Sequence, residues 1–145
     1  YYDNDPDYSW GWAYNGKIYN WHAVNDTRSL CPSGWHVPSD SEWTVLTDLL
    51  GGVEVAGYSM KADYGWGNDS NFQGSNSSGF AGLPGGMRLS GGQFSNDSYT
   101  YFWSSPSYNS ESSDTWRREL SYYNSVVTRF NGDWFDGMSV RCLRD

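Results

Sequence analysis

The chain has 145 residues and a formal net charge of −8 at neutral pH, and 19% of its residues are aromatic. The length suits one domain, so we expect a single domain with an N-terminal loop at 1–16 and a core at 17–145. Because phosphate binding needs clustered Lys and Arg, the charge argues against a nucleic-acid partner. No apolar run is long enough for a membrane span, which argues against direct membrane insertion. Since the sequence starts at Tyr1 and not at Met, we expect it to be part of a longer chain.

The composition favours a loop-rich fold of the α+β class. Only 37% of the residues are hydrophobic, but 9 are Trp and 12 are Tyr, so burial must depend on a few large rings. The 17 Gly residues, with many Ser, Asn and Asp, indicate frequent turns and few helices. Rings with a polar edge also suit binding surfaces.

The two cysteines, Cys31 and Cys142, are far apart in the sequence and have no neighbouring Cys or His cluster. Two buried thiols and a disulfide both fit this arrangement. We favour the disulfide, because an acidic chain that is rich in Trp and Gly and poor in Lys is typical of an extracellular protein. In the chain-entropy model, closing a loop of this length stabilises the fold by about 4–5 kcal/mol.

The first third of the chain contains an acidic segment, a predicted strand and a predicted helix. The oxygen-bearing side chains of 3–7 alternate as they would around Ca²⁺, but the Gly and Glu of an EF-hand loop are missing. We therefore expect a solvated loop and no cofactor, with Ca²⁺ as the alternative. The β-branched and aromatic residues of 17–24 predict a strand. Ser39 and Glu42 have the spacing of a helix capping box, and Gly51 and Gly52 end the run.

The predicted helix carries apolar residues on one face, and the middle of the chain after it is loop-rich. The apolar residues of the face are Trp43, Leu46, Leu49 and Leu50. A shorter second helix is predicted within 53–63, where it would pack Met60. Residues 64–98 are rich in Gly, Ser and Asn, but four apolar residues within them predict an ordered loop insert. Those residues are Phe80, Leu83, Met87 and Leu89.

The last third alternates like a β-meander. Strands are predicted at 101–105, 115–123, 126–130 and 138–143. The second of these has an apolar face, formed by Trp116, Leu120 and Tyr122, on which Arg118 needs a partner. The other face of this strand is mixed in character and consists of Arg117, Glu119, Ser121 and Tyr123.

Several separated groups of residues together resemble a known family. They are Gly34-Trp35-His36-Val37-Pro38-Ser39 with Glu42-Trp43, Gly79-Phe80 with Leu83-Pro84-Gly85-Gly86, Trp103-Ser104-Ser105, and Ser139-Val140-Arg141-Cys142. In this order, over about residues 17–145, they resemble the Fibrobacter succinogenes major paralogous domain, a family similar in fold to C-type lectins and to formylglycine-generating enzymes.

The resemblance implies an α+β, C-type-lectin-like fold. Such a fold has small antiparallel sheets, paired N- and C-terminal strands, two flanking helices and a long structured loop region, and it makes a Cys31–Cys142 bridge geometrically sensible. Members occur mostly in exported or surface proteins of bacteria and their phages. The resemblance therefore implies an extracellular or cell-surface location, or a place on a phage virion.

Catalysis and sugar capture through Ca²⁺ are both disfavoured by the residues. Formylglycine-generating enzymes use a cooperating cysteine pair, whereas we assign both cysteines here to a disulfide, and no other nucleophile–base pairing emerges. His22 and His36 lack a metal-binding motif, so we expect structural roles and no metal site. The Glu-Pro-Asn and Gln-Pro-Asp motifs of Ca²⁺-dependent lectins are absent. We expect no enzyme; a carbohydrate-binding adhesin is the alternative to a protein-binding domain, and a formylglycine-generating-type oxidase is a weaker one.

Relatives of this fold serve as the variable proteins of diversity-generating retroelements, and the resemblance implies a similar layout near the C-terminus. Residues that match the family pattern there alternate with residues that depart from it. On a strand, alternate side chains leave the core, so supporting and displayed residues can share a segment. Mixed rings and small polar groups are typical of a paratope.

We predict a ligand-binding face formed by Tyr108, Arg117, Glu119, Ser121, Tyr123, Val126, Thr128, Phe130, Asp133, Trp134 and Asp136. Its expected partner is a protein or glycan on a cell or phage surface. The alternative is that Phe130 and Trp134 fill the core, with ordinary drift among paralogues producing the departures from the pattern.

Overall fold

The computed structural model describes residues 16–67, 73–95, 98–105 and 115–145. The predicted Ca²⁺ alternative at 3–7, nearly all of the predicted N-terminal loop at 1–16, and Tyr108 lie outside these ranges. The architecture is α+β with few helices, as the composition predicted. Within the described part of the chain, no helix is both long enough and apolar enough to cross a membrane.

The predicted strand over 17–24 is wrong beyond its first residues. Strand β1 covers only Ile18–Tyr19, and helix α1 comes next at Trp21–Val24. Asn20 separates them, because its side-chain oxygen accepts a hydrogen bond from the backbone N–H of Ala23 at 3.0 Å and so caps the helix. The aromatic enrichment that predicted a strand belongs in part to a short helix whose Trp21 and Val24 are buried.

Helix α2, Asp40–Leu49, confirms the capping box. The Ser39 hydroxyl oxygen accepts from the backbone N–H of Glu42, and the Glu42 carboxylate accepts from the backbone N–H of Ser39 at 2.8 Å. Trp43 is buried, and Leu46 and Leu50 pack against the same core. The prediction that Leu49 shares this buried face is wrong, since Leu49 is 80% exposed.

Helix α3, Ala56–Met60, is shorter than the predicted range of 53–63 but buries Met60 as expected. It begins close to the C-terminal half of the chain, because a Cβ on Gly57 would lie 2.6 Å from the backbone oxygen of Ser125. The predicted ordered insert is confirmed over its described residues. Gly82 donates to the Met60 carbonyl and accepts from the Ala62 N–H, so the insert is hydrogen-bonded to α3.

Two sheets complete the fold. The two-residue strand β2, Trp35–His36, lies after α1, and the longer strands are β3, Tyr99–Trp103, β4, Trp116–Ser121, and β5, Val127–Asn131. The predicted closing strand over 138–143 is instead two short strands, β6, Met138–Ser139, and β7, Leu143–Arg144. The strand order is β1-β6-β3-β4-β5 in the larger sheet, and β2 pairs with β7 in the smaller one.

The expectation of purely antiparallel sheets is wrong at one ladder. Strand β6 pairs antiparallel with β1 on one side but parallel with β3 on the other, through Phe102 and Ser139. The remaining ladders are antiparallel. Because β6 lies between β1 and β3, the start and end of the described chain are joined in one mixed sheet.

The core forms two clusters, and strand β3 contributes to both. Tyr101 and Trp103 belong to a cluster with Trp21, Val24 and Met138. Phe102, one residue out of phase, belongs to a second cluster with the helical residues of α2 and α3. This alternation defines an α2 side of the sheet and an opposite side.

The predicted disulfide is present between Cys31 and Cys142, whose Cα atoms are 5.8 Å apart and whose sequence separation is 111 residues. It connects the segment before β2 to the segment before β7. Both cysteines pack with the first core cluster. The bond therefore closes a loop that contains most of the described fold.

Candidate functional site

Strands β4 and β5 bring five of the predicted binding residues onto one side of the larger sheet. Arg117 pairs with Phe130, and Glu119 pairs with Thr128. On β4's other flank, Glu119 pairs with Tyr101 and Ser121 with Tyr99. Because directly paired residues share a side of a sheet, these side chains all lie opposite the α2 side.

We call this surface the open face. It consists of Arg117, Glu119, Thr128 and Phe130, together with Tyr123 in the turn after β4 and the supporting rings Tyr99 and Tyr101.

Arg117 is the centre of the open face. Its guanidinium carbon lies 5.1 Å from the ring centroid of Tyr101 and 5.7 Å from that of Phe130. One of its terminal nitrogens is 3.7 Å from a carboxylate oxygen of Asp136. The buried Nε of Arg117 has no hydrogen-bond acceptor in the described part of the chain. A guanidinium held mainly by two rings, a Met87 sulfur and one carboxylate oxygen at 3.7 Å can donate to a ligand that brings an oxygen to this surface.

The half-buried Glu119 and the buried Tyr101 form a pair next to Arg117. Desolvation raises the pKa of Glu119, and the neighbouring Arg117 and a hydrogen bond from Tyr101 oppose this shift. Desolvation and the Glu119 charge together raise the pKa of Tyr101 to about 12. A carboxylate that is partly removed from water gains more from a new donor than an exposed one does.

Two rings extend the open face towards solvent. Tyr123 is 57% exposed and Phe130 is 41% exposed. Tyr123 is held by ring contacts, with centroids 5.9 Å from Tyr99 and 5.2 Å from Tyr122. Phe130 is held by Arg117. The alternative in which Phe130 fills the core is therefore wrong.

Trp134 lies outside the core as well, at 41% exposure, but beside a different group of rings. Its centroid is 6.1 Å from that of His22, and His22 also contacts the exposed Phe135 at 5.5 Å. Asp133 is exposed, and its carboxylate accepts from the backbone N–H of Phe135 at 2.9 Å. Val126 is half-buried at the start of β5.

Two residues of the predicted face are not displayed. Ser121 is 5% exposed, and its hydroxyl oxygen accepts from the backbone N–H of Tyr123. Asp136 is 6% exposed and accepts from the backbone N–H of Ser90. Both residues lie near the open face, as predicted. The prediction that they project outward is wrong, because each is buried and its side chain accepts a backbone hydrogen bond. Sequence reasoning also missed Tyr99 and Tyr101, which the alternation of β3 could have indicated.

The other side of β4 supports the sheet, as the alternation predicted. Leu120 is buried. Arg118, which was predicted to need a partner, forms an ion pair with Asp40 at a nitrogen–oxygen distance of 2.7 Å. Asp40 also accepts from Arg129 at 2.9 Å. The guanidinium of Arg129 lies over the ring of Trp116, 3.2 Å from its centroid.

A pocket of about 340 Å³ lies on the α2 side of the sheet. We call it the Arg141 pocket. Its walls come from α2 with the residues just before it, from the insert, and from the segment that leads into β7. The lining residues are Pro38, Glu42, Trp43, Leu46, Ser78, Gly79, Phe80, Arg141, Cys142 and Leu143. Most of these residues belong to the groups that carry the family resemblance.

His36 lies beside this pocket between two carboxylates. Its Nδ1 is 2.6 Å from Asp145 and its Nε2 is 3.0 Å from Glu42, and these two contacts raise the pKa of His36. The predicted structural role of His36 agrees with this geometry. No group of three or more His, Cys, Asp and Glu side chains suited to a metal ion occurs among residues 16–67, 73–95, 98–105 and 115–145.

Comparison with known proteins places almost the whole sequence in one family model. The model described as Fibrobacter succinogenes major domain matches residues 1–144. No curated protein and no solved structure matches the sequence.

Proposed function

The chain belongs to the Fibrobacter succinogenes major domain family, as its motifs predicted, and on that premise we propose that it is an extracellular recognition domain that binds a protein ligand through the open face. The observation that carries the proposal is the arrangement around Arg117. The Arg117 guanidinium lies next to the pair formed by Glu119 and Tyr101, and it contacts both the buried ring of Tyr101 and the exposed ring of Phe130. Interfaces are enriched in such Arg and aromatic residues.

Three further observations support the proposal. The disulfide between Cys31 and Cys142 is the kind of bond that persists in oxidising compartments, which supports an extracellular location. The same bond occupies both cysteines, which supports binding over an oxidase that needs two reactive thiols. The pairing of β1 with β6 near the two ends of the described chain supports the C-type-lectin-like assignment.

The binding test uses matched exposed rings. Wild-type protein selects binders from a displayed protein library, and the selected binders are measured against Tyr123→Ala, Phe130→Ala and Tyr64→Ala. Tyr64 is 58% exposed, against 57% for Tyr123, and lies in the insert. We expect the two open-face variants to weaken binding by about 30-fold, the effect of losing an interface hot spot, and Tyr64→Ala to leave it unchanged.

Equal affinities for all three variants would contradict binding by the open face. Hits on a glycan array that disappear with the same two open-face variants would instead establish the carbohydrate-binding alternative. The narrower hypothesis of a diversified variable protein makes a separate prediction, namely an imperfect copy of the 3′ coding region nearby in the DNA that differs only at adenines.

A further inference from the structure

We propose that the Arg141 pocket is a second binding site, for a small molecule in which an apolar group carries a carboxylate. This site is independent of the proposed function, since Trp43 and Phe80 contact Phe102, whose ring points away from Tyr101 and the open face. The volume of about 340 Å³ is at the small end of the range for small-molecule sites.

The apolar part of the ligand is indicated by the pocket walls. Trp43, Leu46, Phe80 and Leu143 provide most of the lining, with Pro38 beside them. The rings of Trp43 and Phe80 meet edge to face, with centroids 5.7 Å apart, and this fixes the shape of the wall. A ligand with a ring or a branched aliphatic group can fill this space.

The carboxylate is indicated by Arg141, which lines the pocket and is exposed. Arg141 forms no ion pair with any carboxylate of the described residues. Its guanidinium instead lies over the Phe80 ring, 4.6 Å from the centroid, and donates to the Phe80 carbonyl.

Glu42 also lines the pocket, but its negative charge does not prevent the pocket from favouring a carboxylate ligand. One of its carboxylate oxygens accepts from both the backbone N–H and the hydroxyl of Ser39, at 2.8 and 2.7 Å. The other oxygen is 3.0 Å from His36. The Glu42 charge is thus held by the helix cap and by an imidazole, whereas Arg141 keeps free donor capacity for an anion.

The test measures binding of phenylacetate to the ¹⁵N-labelled chain by NMR, with phenylacetamide and phenethylamine as neutral and cationic comparators. We expect saturable binding of phenylacetate, with a Kd on the order of 1 mM for a ligand of this size, and chemical-shift changes in the signals of Trp43, which lines the pocket. Phenylacetamide should bind at least about tenfold more weakly, because it lacks the charge-assisted bond.

Variants supply the matched control. Arg141→Gln should weaken phenylacetate binding by about tenfold or more, whereas Arg144→Gln, which removes an exposed guanidinium on β7 outside the pocket lining, should leave it unchanged. The proposal is overturned if phenylacetate does not bind, if phenethylamine binds as well, or if the two arginine variants behave alike. The comparator series on the wild-type chain decides the matter even if Arg141→Gln does not fold. Tighter binding of N-acetyl-glycyl-phenylalanine than of phenylacetate would assign the pocket to a polypeptide C-terminus and overturn the small-acid assignment.

Discussion

The open face and the Arg141 pocket lie on opposite sides of the same sheet and are built from different kinds of residue. The open face mixes charged and aromatic residues of β3, β4, β5 and the turn after β4, and two of its rings, Tyr123 and Phe130, are exposed. The pocket uses residues from the groups that identify the family, and its central ring, Trp43, is buried. The exposed rings Tyr123 and Phe130 can therefore be replaced without disturbing the core, whereas Trp43 cannot.

The physical basis of this difference is the alternation of side chains along β4. Arg117 and Glu119 lie on the open face, whereas Arg118 and Leu120 lie against α2. The residues on the α2 side are tied to helix residues through an ion pair and packing, so their replacement costs stability. On the open face, Tyr123 and Phe130 are exposed, so their replacement should change binding more than folding.

The largest expected effect comes from removing the disulfide. This change tests how far the segment that lines the pocket at Cys142 depends on the covalent bond to Cys31. Replacing Cys31 and Cys142 together by Ser should lower the free energy of unfolding by about 4–5 kcal/mol, because the unfolded chain regains the entropy of a long loop. Urea unfolding followed by Trp fluorescence measures this loss. A reduction below about 1 kcal/mol would show that non-covalent contacts alone hold the segment that lines the pocket.

The next effect contrasts two positions close together in the chain but on opposite sides of the sheet. Leu120 is 1% exposed, so Leu120→Ala should cost about 2–5 kcal/mol through lost burial and a cavity. Tyr123→Ala should cost less than about 1 kcal/mol, since most of its ring is in solvent. Equal decreases of the urea midpoint in the two variants would contradict this contrast, because the Tyr123 ring would then contribute as much to stability as a core residue does.

Sequence reasoning was most successful where a local pattern has one physical solution. The Ser39 and Glu42 spacing specified the start of α2, and the alternation in β4 separated Leu120 from Arg117. Arg118 on an apolar face required a partner, and the structure supplies Asp40. In each case the signal lies within a few residues or arises from the cost of burying a charge.

Sequence reasoning was least successful where distant contacts decide the outcome. Leu49 has the periodicity of a core residue but lies at the end of α2, where no described element covers it sufficiently to bury it. Ser121 has the right alternation for display, but its hydroxyl accepts a backbone hydrogen bond in the turn after β4, and Asp136 accepts one from the distant Ser90. The parallel pairing of β3 with β6 has no local signature in the sequence, and neither does the convergence of three segments on the Arg141 pocket.

A smaller effect tests the electrostatics of the open face. The pKa of Glu119 is raised in the folded state, so the folded chain holds a proton that the unfolded chain releases as pH rises above about 4.5. The free energy of unfolding should therefore fall with rising pH through the window from this value up to the folded pKa. Glu119→Gln should remove this component, worth less than about 1 kcal/mol for a partly exposed group. Identical pH profiles for the wild type and Glu119→Gln would mean that Glu119 is fully solvated.

The smallest effect concerns His36 beside the pocket. Its pKa is raised above 6.5 by Asp145 and Glu42, so its ion pairs stabilise the fold fully below pH 6.5, and this contribution is lost as pH rises through the folded pKa. Because His36 and both carboxylates are partly exposed, the contribution should be a few tenths of a kcal/mol. The direct measurement is an NMR titration of the imidazole, assigned with His36→Gln, in which Asp145→Asn should lower the His36 pKa. If the His36 pKa does not fall in Asp145→Asn, the contact between His36 and Asp145 is absent in solution, and this contact does not hold the segment next to Leu143 in place.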